Sequence, residues 1–401
     1  MGFVEAGEVT TSYKEGPPGT SRPSTIAYRE PAFIPTLSFP ATELSLCPLL
    51  SSPRVAVQRV SIYPAFNARY YSFYIEGLRR LIGPSNLKYT THGFPAFGQQ
   101  CLALRIHGAD ESRVYLHSDD PLELSPVGLK WCDVFGKVNI DPQLVPSEHR
   151  SKVFPLGPTF AVRAWPRFAA EARGLANYVM SPRGPNSFRA HIANYRGQYK
   201  SRFPEHEYHS SVSDPSYIFF NAAIWEREPD ANRVRARFVE AARQVDGVSF
   251  EGGLTPRKSA RGAKSFDGSE FSSYLCERYP PDEYLQKSRR SAVVLNNPAY
   301  LDCHSWRLAE GLALGKAIIS TPIIRPLTAP LEHGQHVHYV DGSVESFALA
   351  IGEICSDHSY RARLESGARD YYETYLSPHR VMQRVFRHAG VNDVEPPAQT
   401  G

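Results

Sequence analysis

Apolar positions in the C-terminal half of the chain alternate between short β-branched runs and stretches with helical spacing. The strand-like runs lie at 216–225, 248–254, 291–298, 316–321 and 336–340. The helical stretches lie at 231–245, 281–289 and 305–314, with a helical tail from 343 onward. This alternation predicts a doubly wound parallel sheet, because right-handed crossovers return each strand to the same sheet.

The N-terminal half has a similar but less regular pattern. A strand-like run at 54–63 precedes a stretch of helical spacing at 68–82, which stops at Gly83-Pro84. Further strand-like runs lie at 101–108, 113–120 and 132–140. Short apolar strands of this kind favour a second parallel sheet covered on both faces. Residues 145–210 mix helical and polar patterns, so the domain boundary is expected there.

The length of 401 residues is sufficient for two cored domains. Residues 1–50 are rich in Pro, Ser, Thr and Gly and are interpreted as a leader or strap with little regular structure. We then expect an N-terminal domain at 51–205, a C-terminal domain at 206–385 and a tail at 386–401. The tail is expected to pack back on the N-terminal domain.

Charge and cysteine content narrow the class of protein. The net charge of +4 arises from 45 basic and 41 acidic residues spread along the chain, so nucleic acid is not required as a partner. Six cysteines without a CxxC pair indicate neither a zinc site nor a disulfide framework. No apolar stretch has the length of a membrane span, and we expect a cytoplasmic protein.

The segment "LDCHSWRLAEGLALGKAIIST" (301–321) carries the clearest candidate chemistry. It follows a predicted strand, where backbone N–H groups at a helix start, roughly 304–307, are suited to phosphate oxygens. Arg307 adds a group for bidentate phosphate binding. Glu310 lies too far into the helix to cap it and is placed to accept hydrogen bonds from a ribose diol. The alternatives are a capping Asp302, a solvated Glu310 and a structural His304.

This segment resembles the E-x7-E region of retaining glycosyltransferases of the GT-B fold, the group-1 class. Asp302, seven residues, Glu310, a small-residue run, Gly315 and a β-strand follow one another in the same order. The stretch 331–378 is similar to the closing segment of that class, and the resemblance covers about 215–385. It implies a GT-B fold with two Rossmann-like doubly wound domains facing a cleft.

The resemblance also implies the donor site. Glu310 would hold the donor ribose, Asp302 would contact the donor sugar, and Arg227 and Arg233 would neutralise the diphosphate, with Arg227 favoured. Cys303–Trp306 replaces the usual glycine-phenylalanine-glycine run of the class. The residues assigned to the donor are Glu310, Arg307, His304, Ser305, Trp306 and Arg233, and those assigned to catalysis are His117, Asp302 and Arg227.

Acceptor residues are expected from the N-terminal half. His117 ends a predicted strand and would face the cleft near the anomeric carbon, with a structural role as its alternative. The first β-α turn offers Tyr63, Asn67, Arg69 and Tyr70 to line the acceptor site, although the aromatic residues suit a core equally well.

The resemblance implies transfer of a sugar from a nucleoside diphosphate sugar to an acceptor hydroxyl, with retention, without a metal and without a cofactor. One alternative is an inverting GT-B transferase with His117 or Asp119 as base. Others are a non-catalytic nucleotide-sugar-binding module and a nucleic-acid-modifying transferase. The last is motivated by the basic segments "PRKSARGAK" and "NYRGQYKSR". The sequence does not define the donor base, the sugar, the acceptor or the oligomeric state.

Overall fold

A computed structural model describes residues 59–391, except for 109, 182–186, 227, 257–268 and 299. The predicted leader at 1–50, Arg227 and most of "PRKSARGAK" therefore lie outside the described residues. All described residues belong to one compact unit. Within these ranges no helix combines the length and the apolar character needed to cross a membrane.

The N-terminal half contains one sheet of six strands in the order β2-β1-β3-β4-β5-β6. The strands are β1 (Arg59–Ile62), β2 (Leu87–Tyr89), β3 (Leu102–His107), β4 (Glu111–His117), β5 (Val134–Lys137) and β6 (Val153–Pro155). Its helices are α1 (Ala68–Ile82), α2 (Pro126–Trp131), α3 (Arg167–Met180) and α4 (Phe188–Lys200).

One strand of this sheet corrects the expectation of a purely parallel arrangement. Strand β3 runs antiparallel to both β1 and β4. Only three residues join β3 to β4, and a connection this short permits an antiparallel hairpin but not a parallel crossover. Because β4 pairs in parallel with β5, the carboxyl ends of these two strands still lie at one edge of the sheet.

The C-terminal half contains the doubly wound arrangement that the pattern predicts. Its strands are β7 (Tyr217–Ala223), β8 (Ser249–Thr255), β9 (Val293–Asn296), β10 (Ala317–Ser320) and β11 (His338–Tyr339). Strands β7 and β8 are parallel, as are β9, β10 and β11. A bridge between Asp214 and Ser291 and the hydrogen bond from Ala292 N to Tyr217 O place β7 beside β9. The strand order is therefore β8-β7-β9-β10-β11.

Six helices complete this half among the described residues. They are α5 (Pro229–Gln244), α6 (Pro281–Arg290), α7 (Trp306–Ala313), α8 (Val344–Ser356), α9 (His358–Tyr371) and α10 (Pro378–His388). Helix α10 packs against α1 of the N-terminal half. The contact is close, since a Cβ on Gly77 of α1 would lie 2.1 Å from Pro378 O. Val381, Val385 and Phe386 are fully buried there.

Together these elements confirm the predicted fold class, a two-sheet α/β protein. A hydrophobic core joins the two halves, because Val60 and Leu104 of the first sheet belong to the same buried cluster as Leu308 and Leu312 of α7. The predicted limits 51–205, 206–385 and 386–401 remain predictions.

Candidate functional site

A pocket lies between the sheet and the helices α6 and α7, against the middle of β7 and β9. In this sheet the strand order reverses between these two strands, and ligands of open α/β sheets bind in the crevice at such a point. Pocket-lining residues come from β7, β9, α6 and α7. They are Phe219, Phe220, Asn221, Tyr284, Ser288, Val294, Leu295, Arg307, Glu310, Gly311 and Leu314.

Glu310 is the buried carboxylate of this pocket. Ser305 caps α7, since its hydroxyl accepts a hydrogen bond from Leu308 N, and Glu310 follows in the second turn with 8% of its surface exposed. Arg202 Nη1 donates to Glu310 Oε1 at 2.7 Å. The Arg202 guanidinium also lies 4.7 Å from the centroid of the Trp306 ring. Arg202 was not predicted from the sequence, and its only signal was its place in the basic segment "NYRGQYKSR".

Arg307 faces the end of β7. Its guanidinium donates to Asn221 O at 3.3 Å and lies 4.8 Å from the centroid of the Phe220 ring. Among the described residues it forms no ion pair with a carboxylate. The predicted donor residue Arg307 therefore lies in the same pocket as Glu310.

Arg235 of α5 is a second arginine at this edge and was missed by the sequence analysis. It is 3% exposed and donates to Asn297 Oδ1 at 3.1 Å and to Ala223 O at 3.0 Å. Burial, followed by the charge of Arg307, lowers the Arg235 pKa to about 9. Its partners among the described residues are neutral, so two neighbouring guanidinium groups create a positive potential suited to an anion. A basic residue on the buried face of an amphipathic helix was the available signal.

Arg233 does not join this pair, which corrects its assignment to the donor site. Two positions along a helix rotate a side chain by roughly 200°, so Arg233 and Arg235 lie on opposite faces of α5. Arg233 is exposed and forms ion pairs with Asp230 at 2.8 Å and Glu270 at 2.6 Å.

The segment between the two carboxylates contacts the N-terminal half. His304 N donates to Asn139 Oδ1 at 2.9 Å, which corrects the expectation that this N–H group is free for phosphate. The His304 ring is buried, with Nε2 3.3 Å from Pro326 O, and burial lowers its pKa to about 4. The Ser305 hydroxyl donates to Asn296 Oδ1 at 2.7 Å. Both residues thus position the start of α7.

Asp302 occupies a strained backbone position. Leu301 and Asp302 have φ angles of 54° and 59°, in the left-handed region that residues other than glycine rarely adopt. Arg325 donates to Leu301 O and Asp141 Oδ2, and its Nη2 lies 4.0 Å from Asp302 Oδ2. The Asp302 side chain is 51% exposed and is not among the residues that line the pocket. The strained residues Leu301 and Asp302 therefore lie where Arg325 of the C-terminal half pairs with Asp141 of the N-terminal half.

His117 belongs to a buried charged cluster at the carboxyl ends of β4 and β5. Lys137 is fully buried beside it, with Nζ 3.1 Å from His117 Nδ1 and 2.6 Å from Pro121 O. Burial, and then the Lys137 charge, lowers the His117 pKa to about 3. Since an ammonium only donates, we assign Nδ1 as the acceptor, which leaves the proton on Nε2. In this tautomer His117 is a hydrogen-bond donor at Nε2, and its role as a base stays a prediction.

Asp119 lies in the same cluster, and its pKa is raised whereas that of His117 is lowered. Burial, and then the neighbouring Asp120, raises the Asp119 pKa to about 7. Cys303 reaches the cluster from the C-terminal half, because its thiol donates to Asp120 O at 3.2 Å. Burial lowers the Lys137 pKa to about 8. The charged strand residue Lys137 in the apolar run "CDVFGKVNI" was the sequence signal for this cluster.

The four predicted acceptor residues divide into two pairs. Tyr63 is a core residue, with its ring against Phe94 and Phe97 and its hydroxyl 3.2 Å from Ser181 Oγ. Asn67 caps α1, because its side chain accepts from Arg69 N. These contacts assign structural roles to Tyr63 and Asn67 and correct their acceptor assignment.

Arg69 and Tyr70 instead contact Trp306 at the start of α7. The Tyr70 and Trp306 rings meet edge-on with centroids 5.2 Å apart, and the Arg69 guanidinium lies 5.8 Å from the Trp306 ring centroid. Trp306 thereby connects the start of α1 with Arg202 and, through Arg202, with Glu310.

Comparison with known proteins gives distant likenesses only. No family profile matches the chain, and no curated sequence matches it. The C-terminal domain of LpcC, a group 1 glycosyl transferase family protein from Francisella tularensis, is 11% identical over 42% of this chain and 96% of that chain, with a TM-score of 0.31. HepE from Anabaena with UDP-glucose is 10% identical over 69% of this chain and 99% of that chain, with a TM-score of 0.34.

Sucrose-phosphate synthase from Thermosynechococcus elongatus is 13% identical over 48% of this chain, with a TM-score of 0.34. The chain covers 53% of the length of that synthase. These likenesses assign no activity. The predicted GT-B fold is confirmed in its architecture: each half has its own α/β sheet, and α10 returns to pack on α1 of the N-terminal half.

The buried His304 ring predicts a loss of stability in acid. Its folded pKa of about 4 lies below the ordinary 6.5, so the unfolded chain takes up the proton first as the pH falls. Stability is therefore lost between pH 6.5 and about 4, and this residue contributes a loss of about 2 kcal/mol between pH 7 and pH 5.

Urea unfolding at both pH values should show this difference between the wild type and the variant His304→Gln, which retains a donor toward Pro326 O. We expect the variant to lose about 2 kcal/mol less on acidification. An identical pH dependence in the two proteins would contradict this prediction, because it would show that His304 takes up its proton equally in the folded and unfolded states.

Proposed function

We propose that this protein transfers a sugar from a nucleoside diphosphate sugar to an acceptor hydroxyl. The observation that carries the proposal is the pocket at the β7–β9 reversal, which is lined by the buried carboxylate of Glu310 and by Arg307. The charge of Arg307 in turn acts on the buried Arg235 of α5. Such a donor has ribose hydroxyl groups, which a carboxylate can bind, and a diphosphate, which two cations can bind.

The donor ribose is assigned to Glu310. Arg202 occupies Oε1 and orients the carboxylate, while Oε2 remains to accept from a ribose hydroxyl. Arg307 and Arg235 are assigned to the diphosphate, whose charge grows as the glycosidic bond breaks. Catalysis would then rest on fixed cations, with neither a metal nor a cofactor assigned a role. HepE was solved with UDP-glucose, which makes a uridine diphosphate sugar the first donor to test.

The acceptor side is assigned to the cluster of His117, Lys137 and Asp119. The His117 Nε2–H group would donate to a sugar hydroxyl, with Lys137 fixing the tautomer. In a retaining reaction the leaving phosphate itself takes the acceptor proton, so no protein nucleophile is needed.

An inverting reaction is the second candidate, and one observation favours it. The Asp119 pKa of about 7 would let this carboxyl accept a proton near neutral pH, as a general base must. A non-catalytic binding module would differ from both enzymes in binding the nucleotide sugar without any sugar transfer. A nucleic-acid-modifying role loses its support from "NYRGQYKSR", because Tyr195 is buried and Tyr199 donates to Glu171.

The test is a thermal-shift panel of UDP, GDP, ADP, CDP and dTDP sugars, followed by NMR of the product formed with the stabilising donor. We expect one nucleotide class to raise the melting temperature and its sugar to be transferred. Retained anomeric configuration supports the first mechanism, and inversion assigns the base role to Asp119. Stabilisation without turnover would leave only a binding module, and no stabilisation by any donor would refute the proposal.

A further inference from the structure

Helix α3 exposes large apolar residues to solvent along one face. Phe168 is 83% exposed, Leu175 52% and Val179 68%. These three positions are spaced by seven and four residues, so they form a single stripe along the helix. At about 1.5 Å per residue, the fourteen-residue helix is roughly 21 Å long. We name these three residues the α3 stripe.

The buried face of α3 explains this orientation. It carries the small or polar residues Ala170, Gly174 and Asn177. A Cβ on Gly174 would lie 3.1 Å from the Tyr195 ring of α4, and Asn177 Nδ2 donates to the Tyr195 hydroxyl at 2.7 Å. The close contact with α4 therefore requires the small face inward, and the large apolar side chains point outward.

The α3–α4 hairpin that carries the α3 stripe is basic. The described parts of the α3–α4 hairpin, 167–181 and 187–200, hold five basic residues and one acidic residue, a net charge of +4. The whole chain also has a net charge of +4, so the remaining residues together are neutral. The basic residues are Arg167, Arg173, Arg189, Arg196 and Lys200.

Three of these basic residues have intramolecular contacts. Arg196 pairs with the hairpin's acidic residue, Glu171, and Arg173 lies over the Tyr89 ring. The Arg167 guanidinium lies 5.9 Å from the centroid of the ring of Phe168, a residue of the α3 stripe. Arg167, Arg189 and Lys200 are exposed. The α3 stripe thus lies on a hairpin with a local excess of positive charge.

We propose that the α3–α4 hairpin docks on a membrane surface that contains anionic lipids. An apolar helix face flanked by basic residues lies in the interface plane, where the apolar side chains enter the acyl boundary and the basic groups meet lipid phosphates. A second copy of this chain is a poorer occupant, because it would bring another charge of +4 against the same face. Charge complementarity therefore selects the anionic lipid surface.

Vesicle flotation of the full chain tests this inference, with vesicles of phosphatidylcholine alone or mixed with phosphatidylserine. We expect binding to the mixed vesicles and little to phosphatidylcholine alone. The variant Phe168→Ser/Leu175→Ser/Val179→Ser should lose this binding. The matched control Val212→Ser/Ile324→Ser/Leu349→Ser replaces three exposed apolar residues elsewhere and should bind like the wild type.

A variant without three of the basic residues tests whether positive charge contributes to the binding of anionic lipid. Arg167→Gln/Arg189→Gln/Lys200→Gln should bind the mixed vesicles about 100-fold more weakly, because each basic residue near an anionic surface contributes about 1 kcal/mol. Wild-type protein that binds neither vesicle would overturn the proposal. So would equal binding by wild type and stripe variant, or concentration-dependent dimers that only the stripe variant loses. None of these outcomes depends on the proposed sugar transfer.

Discussion

Glu310→Gln is expected to lower the affinity for the nucleoside diphosphate sugar by about 100-fold or more, the discrimination typical of a buried group matched to a hydroxyl. The amide has the same size as the carboxylate but carries a weaker acceptor. It also leaves the buried Arg202 without its anionic partner at 2.7 Å. Titration calorimetry with the donor found in the nucleotide panel measures the change.

A matched control separates donor binding from stability. Glu205 is likewise 8% exposed and pairs with an arginine, Arg80, at 2.8 Å, but it does not line the pocket. Both Glu205→Gln and Glu310→Gln should lower the melting temperature, because each leaves an arginine without its carboxylate. Only Glu310→Gln should lose the donor. Equal donor affinity in the two variants would remove Glu310 from the site.

Arg235→Met is expected to slow sugar transfer by about 100- to 1,000-fold, the usual effect of removing one preorganised group that stabilises developing charge. Methionine fills much of the same buried volume. The loss of hydrogen bonds to Asn297 and Ala223 is offset by the removal of a buried cation whose pKa is lowered to about 9. We therefore expect a large fall in kcat with a small change in melting temperature.

Arg233→Gln is the matched control on the same helix. Arg233 is exposed and paired with Asp230 and Glu270, so its replacement should leave kcat within about twofold, as expected for a surface change. A loss of activity in Arg233→Gln with full activity in Arg235→Met would reverse the assignment. It would also restore the position that the family resemblance indicates.

The pattern of apolar residues was sufficient to predict the C-terminal sheet, because each β-α unit there is local in sequence. It did not define the direction of β3. That direction depends on the short connection to β4, whereas a run of apolar residues looks the same in parallel and antiparallel strands. The pattern also did not delimit the helices α3 and α4 within 145–210. The large apolar residues of α3 point outward, so they do not mark its buried face.

The sequence predicted those site residues that come from one continuous segment. Ser305, Arg307 and Glu310 lie on α7 or at its start, and the motif placed them together. Arg202 is 108 residues away from Glu310, and only the fold brings the two side chains into contact. Arg235 was missed because the sequence alone does not show which arginine of α5 points inward.

The atypical stretch from Cys303 to Trp306 has a role that the resemblance did not indicate. Cys303 contacts Asp120, His304 contacts Asn139, and Trp306 contacts Tyr70. These residues join the C-terminal half of the protein to the N-terminal half. The strained backbone at Asp302 directly precedes this junction.

The central claim is that the pocket between α7 and the strands β7 and β9 binds a nucleoside diphosphate through Glu310 and Arg307, with Arg235 of α5 beside Arg307. Titration calorimetry of UDP-glucose and the other nucleotide sugars against wild type, Glu310→Gln and Arg235→Met tests this claim most directly. The account predicts that one nucleotide class binds the wild type and binds both variants far more weakly. Binding of that class with unchanged affinity in both variants, or no binding of any class to the wild type, would contradict it.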